Sequence, residues 1–83
     1  MKESKLIKLG FEKVHVTAEE SGDIPFYYYT LDICKGLSFI SNSNDEVIND
    51  KWKVEFFNTE VPIVFTKYKE LKKIIKIIKN NKI

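Results

Sequence analysis

Alternation of apolar and polar residues through the middle of the chain predicts a β-sheet. Val14 and Val16, for example, alternate with Lys13, His15 and Thr17, which is the period-two pattern of a half-buried strand. Such runs are short and are separated by turn-forming residues. They predict five strands, over residues 11–17, 26–33, 37–41, 52–57 and 61–65.

Short connections between these strands favour an antiparallel meander. Residues 19–25 have the composition of a turn, and Asn58 with Thr59 predicts a tight hairpin before the last strand. Pro62 marks that last strand as an edge strand, because proline lacks the N–H group that a central strand needs.

Helix patterns occupy both ends of the chain. Residues 3–9 predict a short helix that ends at Gly10 in the left-handed conformation. Residues 67–80 predict a longer one, in which apolar side chains recur at helical spacing within a sector of about 120°. The members of this stripe are Tyr68, Leu71, Ile74, Ile75 and Ile78.

The fold class is therefore α+β. We predict one domain over residues 1–83, a five-stranded antiparallel meander with the C-terminal amphipathic helix on one face and a short N-terminal helix. Trp52 is the expected anchor of the core. The residues predicted to face the C-terminal helix are Val14, Val16, Tyr27, Tyr29, Leu31, Leu37, Phe39, Trp52, Val54, Phe56, Ile63 and Phe65.

The opposite face of the sheet, here called the outer face, is predicted to be more apolar than is usual for a surface exposed to water. A contiguous apolar patch of several hundred Å² usually marks a site of association with a partner or with a second copy. Tyr28 and Phe57 are its candidate partner-binding residues. Alternatively, the N-terminal helix covers this face. The apolar residues predicted on the outer face are Phe26, Tyr28, Ile40, Phe57 and Val64.

Charge is distributed unevenly along the chain, although the net charge is only +2. Residues 67–83 contain seven lysines and one acid, whereas residues 14–66 contain nine acids and three lysines. Four lysines fall together on the helix side opposite the apolar stripe, and we call them the lysine surface: Lys69, Lys72, Lys73 and Lys76. This surface either binds phosphates of RNA or DNA or simply keeps one side of a packed helix in water.

No catalytic, metal or cofactor motif is present, so we predict a non-enzyme without cofactors. His15 is the only histidine and Cys34 the only cysteine, which argues against a zinc site or an activated nucleophile. All fourteen basic residues are lysines, and the absence of arginine argues against base-specific reading of DNA. A cytoplasmic location without membrane contact is expected.

Four segments together have a familiar pattern: residues 9–14, 26–32, 36–42 and 52–57. With them the chain resembles small prophage-encoded proteins of AT-rich bacteria, and among these an anti-CRISPR inhibitor of a type VI-B RNA-guided RNase. The resemblance implies a non-enzymatic inhibitor that binds a host protein or ribonucleoprotein. The alternative is a small accessory or regulatory protein that binds RNA or DNA directly through the lysine surface. A homodimer is compatible with either.

Overall fold

The computed structural model describes residues 1–57, 60 and 63–81. Within them five strands form one antiparallel sheet in the order β1, β2, β3, β4, β5, so the predicted α+β meander is confirmed. The Asn58–Thr59 hairpin and the role of Pro62 lie outside the described residues. The elements are α1 (Glu3–Lys8), β1 (Glu12–Val16), α2 (Ala18–Ser21), β2 (Phe26–Cys34), β3 (Leu37–Ser41), a 3-10 turn (Asn44–Glu46), β4 (Val54–Phe56), β5 (Val64–Phe65) and α3 (Tyr68–Asn81).

Local sequence explains where two of the helices begin or end. Gly10 has a φ of 95°, so the chain leaves α1 through a left-handed residue, as predicted. The expected turn over residues 19–25 instead begins with α2. Thr17 caps α2 by accepting a hydrogen bond from the backbone N–H of Glu20, whose carboxylate accepts one from the N–H of Thr17. This capping box stabilises one helical turn where the composition alone indicated irregular structure.

The core lies on one side of the sheet, between the sheet and the two terminal helices. Leu6 of α1 and Leu71 and Ile75 of α3 belong to the same buried cluster as the inward side chains of the strands. Both helices therefore cover the same face of the sheet. The largest fully buried side chains are those of Tyr29, Phe39, Leu6, Leu71 and Val54.

The proposed covering of the outer face by the N-terminal helix is therefore wrong. The Trp52 N–H donates to the Met1 carbonyl at 2.8 Å, and the Met1 nitrogen donates to the Trp52 carbonyl at 3.1 Å. The Met1 nitrogen also donates to the Thr66 carbonyl at 3.0 Å. These bonds hold the beginning of α1 near that of α3, because they fix Met1, two residues before α1, to Trp52 and Thr66, which lie two residues before β4 and α3 respectively.

The predicted inward register is wrong for β1. Lys13 pairs with Tyr29 and His15 with Tyr27, so the polar residues of β1 share the core side of the sheet. Val14 and Val16 lie on the outer face, opposite Tyr28 and Phe26 of β2. β1 is an edge strand, and Lys13 lies at its core side with the ammonium group 4.2 Å from the centre of the Tyr27 ring.

Ile63, also predicted to face inward, is 46% exposed and does not belong to the core.

Trp52 is a core residue, as predicted, and it packs among aromatic rings. Its side chain is 2% exposed, and its ring centre lies 5.3 Å from that of Tyr29 and 6.0 Å from that of Tyr27. Its indole N–H donates to Oδ1 of Asp50 at 3.0 Å, which satisfies the polar atom of the ring.

Replacement of this ring tests the core. Because truncating a buried aromatic leaves a cavity, Trp52→Ala should lower the free energy of unfolding by about 3–5 kcal/mol, measured by chemical denaturation. Ile48→Ala is the control, since Ile48 is 73% exposed and its truncation should change stability by about 0.5 kcal/mol or less. A loss below about 1 kcal/mol for Trp52→Ala would contradict the position of this ring.

Candidate functional site

The exposed side of α3 carries the predicted lysine surface. Leu71 and Ile75 are buried against the sheet, and the remaining members of the apolar stripe are half-buried. The helix therefore has its expected orientation, with the ammonium groups directed to water. All four members of the lysine surface are exposed: Lys69, Lys72, Lys73 and Lys76.

A groove between α1 and α3 brings in lysines that the sequence pattern had not connected. Its volume is about 400 Å³, and it is lined by Lys8 of α1 together with three lysines of α3. None of the described residues that line it is acidic. We call it the α1–α3 groove, and it is lined by Lys8, Leu9, Tyr68, Lys72, Ile75, Lys76, Lys79 and Asn80.

Two lysine ammonium groups lie near the ring of Tyr68, which lines this groove. The ammonium nitrogen of Lys5, from α1, lies 4.9 Å from the centre of the Tyr68 ring, and that of Lys72 lies 5.7 Å from it. An ammonium group over an aromatic ring is attracted by about 0.5–1 kcal/mol at an exposed site. The ring thus offsets part of the repulsion between two cations that come from different helices.

The acids of α1 and α3 do not neutralise the groove. Glu70 is five 100° steps, or about 140°, away from Ile75 around α3, which puts it on the opposite side of the helix. Glu3 of α1 accepts a hydrogen bond from the Tyr29 hydroxyl and lies 4.0 Å from the Lys13 ammonium group. Over the described part of the chain, no α3 lysine lies within 4.0 Å of a carboxylate oxygen. The positive charge of α3 is therefore available to a ligand.

A polar cluster at the other edge of the core face joins α1 to the sheet. Asp50 Oδ1 accepts hydrogen bonds from the Glu3 N–H at 3.1 Å and from the Trp52 indole. Burial raises the pKa of the Tyr29 phenol above its ordinary value near 10, and the hydrogen bond to Glu3 raises it further. These groups bond to one another and leave no free reactive group, so we interpret the cluster as structural.

The outer face is open, and its apolar residues form more than one group. Val14 and Val16 of β1 lie opposite Tyr28 and Phe26 of β2, whose ring centres are 6.5 Å apart. All four side chains are half-buried. We call this group the β1–β2 patch. The two valines belong to this patch because the register of β1 places them on the outer face. The sequence pattern had predicted them on the core face.

The two predicted partner-binding residues of the outer face do not lie together. Alternation after the inward-facing Phe56 places Phe57 on the outer face, 45% exposed, where its N–H donates to the Ser38 carbonyl at 2.9 Å. Ser38 pairs with Asp32, which is four residues, or about 13 Å, along β2 from Tyr28. Tyr28 belongs to the β1–β2 patch, whereas Phe57 lies at the far end of the sheet.

The histidine and the cysteine, which were considered for catalysis or metal binding, lie in different parts of the sheet. His15 lies on the edge strand β1 and packs against the Tyr27 ring, with ring centres 5.9 Å apart. Cys34 is a half-buried free thiol at the end of β2. Across residues 1–57, 60 and 63–81, no group of three or more His, Cys, Asp or Glu residues is placed to hold a metal ion. Nor does a helix in those ranges have the length and apolarity to cross a bilayer.

No protein-family model matches this chain, and neither does any curated protein or solved structure. Two surfaces have the chemistry of binding sites: the lysine-lined side of α1 and α3, and the β1–β2 patch. The first presents clustered positive charge and the second presents aromatic and aliphatic surface, so they suit different ligands.

Lys8 and Lys79 are the candidate site residues that sequence reasoning missed. Lys79 lies seven residues after Lys72 and therefore on the same side of the helix, so helical spacing alone connects these two lysines. Nothing in the sequence indicated that Lys8 lies near α3, because the distance between them depends on which face of the sheet α1 covers. The groove is thus a product of tertiary structure.

The buried Tyr29 phenol predicts a dependence of stability on alkaline pH. Its pKa is raised in the folded protein, so the unfolded chain loses this proton first, and the stabilisation is complete below about pH 10 and is lost as the pH rises further. Tyr29→Phe should therefore show a smaller loss of unfolding free energy between about pH 9 and about pH 11 than the wild type.

Tyr28→Phe is the matched control for this measurement, because it removes a phenol from the outer face. It should keep the wild-type pH dependence, measured by denaturation at each pH. Identical pH profiles for Tyr29→Phe and the wild type would contradict the role of the Tyr29 phenol.

Proposed function

We propose that this protein is a small non-catalytic binding protein that contacts the phosphates of a nucleic acid through the lysine surface and the α1–α3 groove. The observation that carries the proposal is the groove itself, which is lined by Lys8 from one helix and by Lys72, Lys76 and Lys79 from another, with no acid among the described residues that line it. Lysines that serve only for solubility need not converge from two helices on one groove.

The chemistry of lysine defines the type of recognition. A lysine ammonium group is a compact point charge, which attracts phosphate without the planar, two-pronged geometry that arginine uses to read guanine. All the basic residues here are lysines. The proposed binding is therefore independent of base sequence and sensitive to salt.

Salt dependence gives a quantitative test. If four lysines each neutralise one phosphate of a single strand, log Kd should change with a slope of about 3 against log salt concentration, or about fiftyfold between about 50 and about 200 mM salt. Changing Lys69, Lys72, Lys73 and Lys76 to Glu moves the net charge from +2 to −6, since each change lowers it by two. Binding of labelled RNA, measured by fluorescence anisotropy, should then disappear.

A charge-reversal control separates this site from a general effect of net charge. Lys35, Lys51 and Lys53 are exposed and lie outside α1 and α3, and their change to Glu lowers the net charge to −4. This control should retain most of the affinity. Wild-type binding by the four-lysine variant at both low and physiological salt would show that these lysines only solvate the helix.

The RNA that meets this surface can be free or held by a partner. A host ribonucleoprotein would present the same phosphates, and inhibition of an RNA-guided RNase is the version of this hypothesis that the resemblance to prophage proteins implies. That version rests on the resemblance alone. Its test is a pull-down from host lysate with and without RNase, because an RNA-dependent contact is lost when the RNA is digested.

Binding of a protein partner is a second candidate function, and the open β1–β2 patch favours it. Because α1 and α3 both cover the other face, Val14, Val16, Phe26 and Tyr28 form a half-buried apolar group without a covering element among the described residues. Aromatic side chains in such groups supply much of the binding energy of protein interfaces. An apolar contact of this kind weakens less with salt than a phosphate contact.

Serine substitutions on the outer face test this second function. The double change Tyr28→Ser and Phe57→Ser should leave the fold nearly intact and abolish association with a partner or a second copy, measured by pull-down or light scattering. Since the two residues lie apart, Phe57→Ser alone serves as the control and should cost less association than Tyr28→Ser alone. Unchanged association of the double variant would remove the outer face from consideration.

A further inference from the structure

The α1–α3 groove has an apolar floor beneath its basic rim. Ile75 is buried at its base, and Leu9 and Tyr68 are half-buried along it. The rim consists of Lys8 of α1 and of Lys72, Lys76 and Lys79 of α3. A ligand that matches this groove has negative charges on its outside and flat or apolar surface that can reach the floor.

Positions along α3 organise the rim into a row. Lys72, Lys76 and Lys79 follow one another at intervals of four and three residues, so they lie on the same side of the helix and span about 10 Å along its axis. Lys69 and Lys73 lie further around the helix and do not line the groove. The row therefore provides a path for a linear polyanion beside the apolar floor.

Single-stranded nucleic acid has both features of such a ligand, the negative charges and the accessible flat surface, whereas a duplex has only the first. In a duplex the bases are stacked inside and the phosphates form the outside, so a duplex can meet the lysines but cannot place a base on the floor. A single strand can turn a base inward onto apolar or aromatic surface while its phosphates follow the lysines. We propose that the α1–α3 groove binds single-stranded nucleic acid in preference to duplex.

This inference rests on the proposed function and makes it more specific. In the bound state a base covers Leu9 and the edge of Tyr68, and the phosphates on either side contact Lys8 and the row of α3 lysines. Lys5 and Lys72, which already lie against the Tyr68 ring, hold positive charge at the mouth of the groove where the strand enters. Sequence preference is weak, because every base has an apolar face.

The experiment compares two probes and two charge-matched pairs of substitutions. The probes are a fluorescein-labelled oligouridine of about twelve nucleotides and an RNA duplex of the same length, and binding is measured by fluorescence anisotropy. The groove pair is Lys8→Glu with Lys79→Glu. The matched pair is Lys51→Glu with Lys53→Glu, which makes the same change in net charge at two exposed lysines outside α1 and α3.

The wild type should bind the single strand about tenfold more tightly than the duplex. The groove pair should weaken binding of the single strand about tenfold or more, and the matched pair should weaken it about threefold or less. Leu9→Ser, checked for a native melting curve, should reduce the preference for the single strand without changing the salt dependence, because it alters the floor and leaves every lysine in place.

The negative results have different meanings. Equal affinity for the two probes would overturn the single-strand inference while salt-dependent binding still supports the proposed function. Equal losses in the two pairs would place binding outside the groove and would overturn both. Absence of salt-dependent binding to either probe would overturn the proposed function and the inference with it. If Leu9→Ser melts early, Leu9→Met provides the second variant, which keeps the floor apolar and should keep the wild-type preference.

Discussion

Packing of Leu6, Leu71 and Ile75 against one face of the sheet is the interaction on which the rest of this structure depends. It joins the two terminal helices to the strands in a single core. A chain of this size has little additional surface to bury, and the described residues provide no second layer for the other face. The molecule therefore has one covered side, where lysines of two helices meet, and one open side, where aromatic and aliphatic side chains remain half-buried.

Sequence patterns predicted the strands and the long helix because those elements follow from local alternation and spacing. The face covered by α1 was not predictable in this way. Leu6 and Ile7 are adjacent apolar residues of one short helix, yet Leu6 is fully buried and Ile7 is exposed. Which of them packs depends on contacts with α3 and on the hydrogen bonds between Met1 and Trp52, and these join residues that are distant in sequence.

Edge strand β1 shows why an alternating pattern does not define which side is inward. Val14 and Val16 are apolar and Lys13 and His15 are polar, so burial of the valines was expected. At the edge of the sheet, however, Lys13 can place its ammonium group over the Tyr27 ring and near Glu3 while remaining in contact with water. The candidate site was likewise only partly predictable. The α3 lysines could be grouped from helical spacing in the sequence, whereas Lys8 belongs to the site only because the fold brings it there.

The two walls of the α1–α3 groove come from opposite ends of the chain, with the whole sheet between them. A chain that lacks α3, as during synthesis on the ribosome, contains Lys8 and Leu9 but no groove. Contacts between such distant segments carry a large loop-closure cost and depend on the sheet that brings them together. A ligand that bound this groove would accordingly select chains in which α1, α3 and the sheet are all folded, and would stabilise them against unfolding.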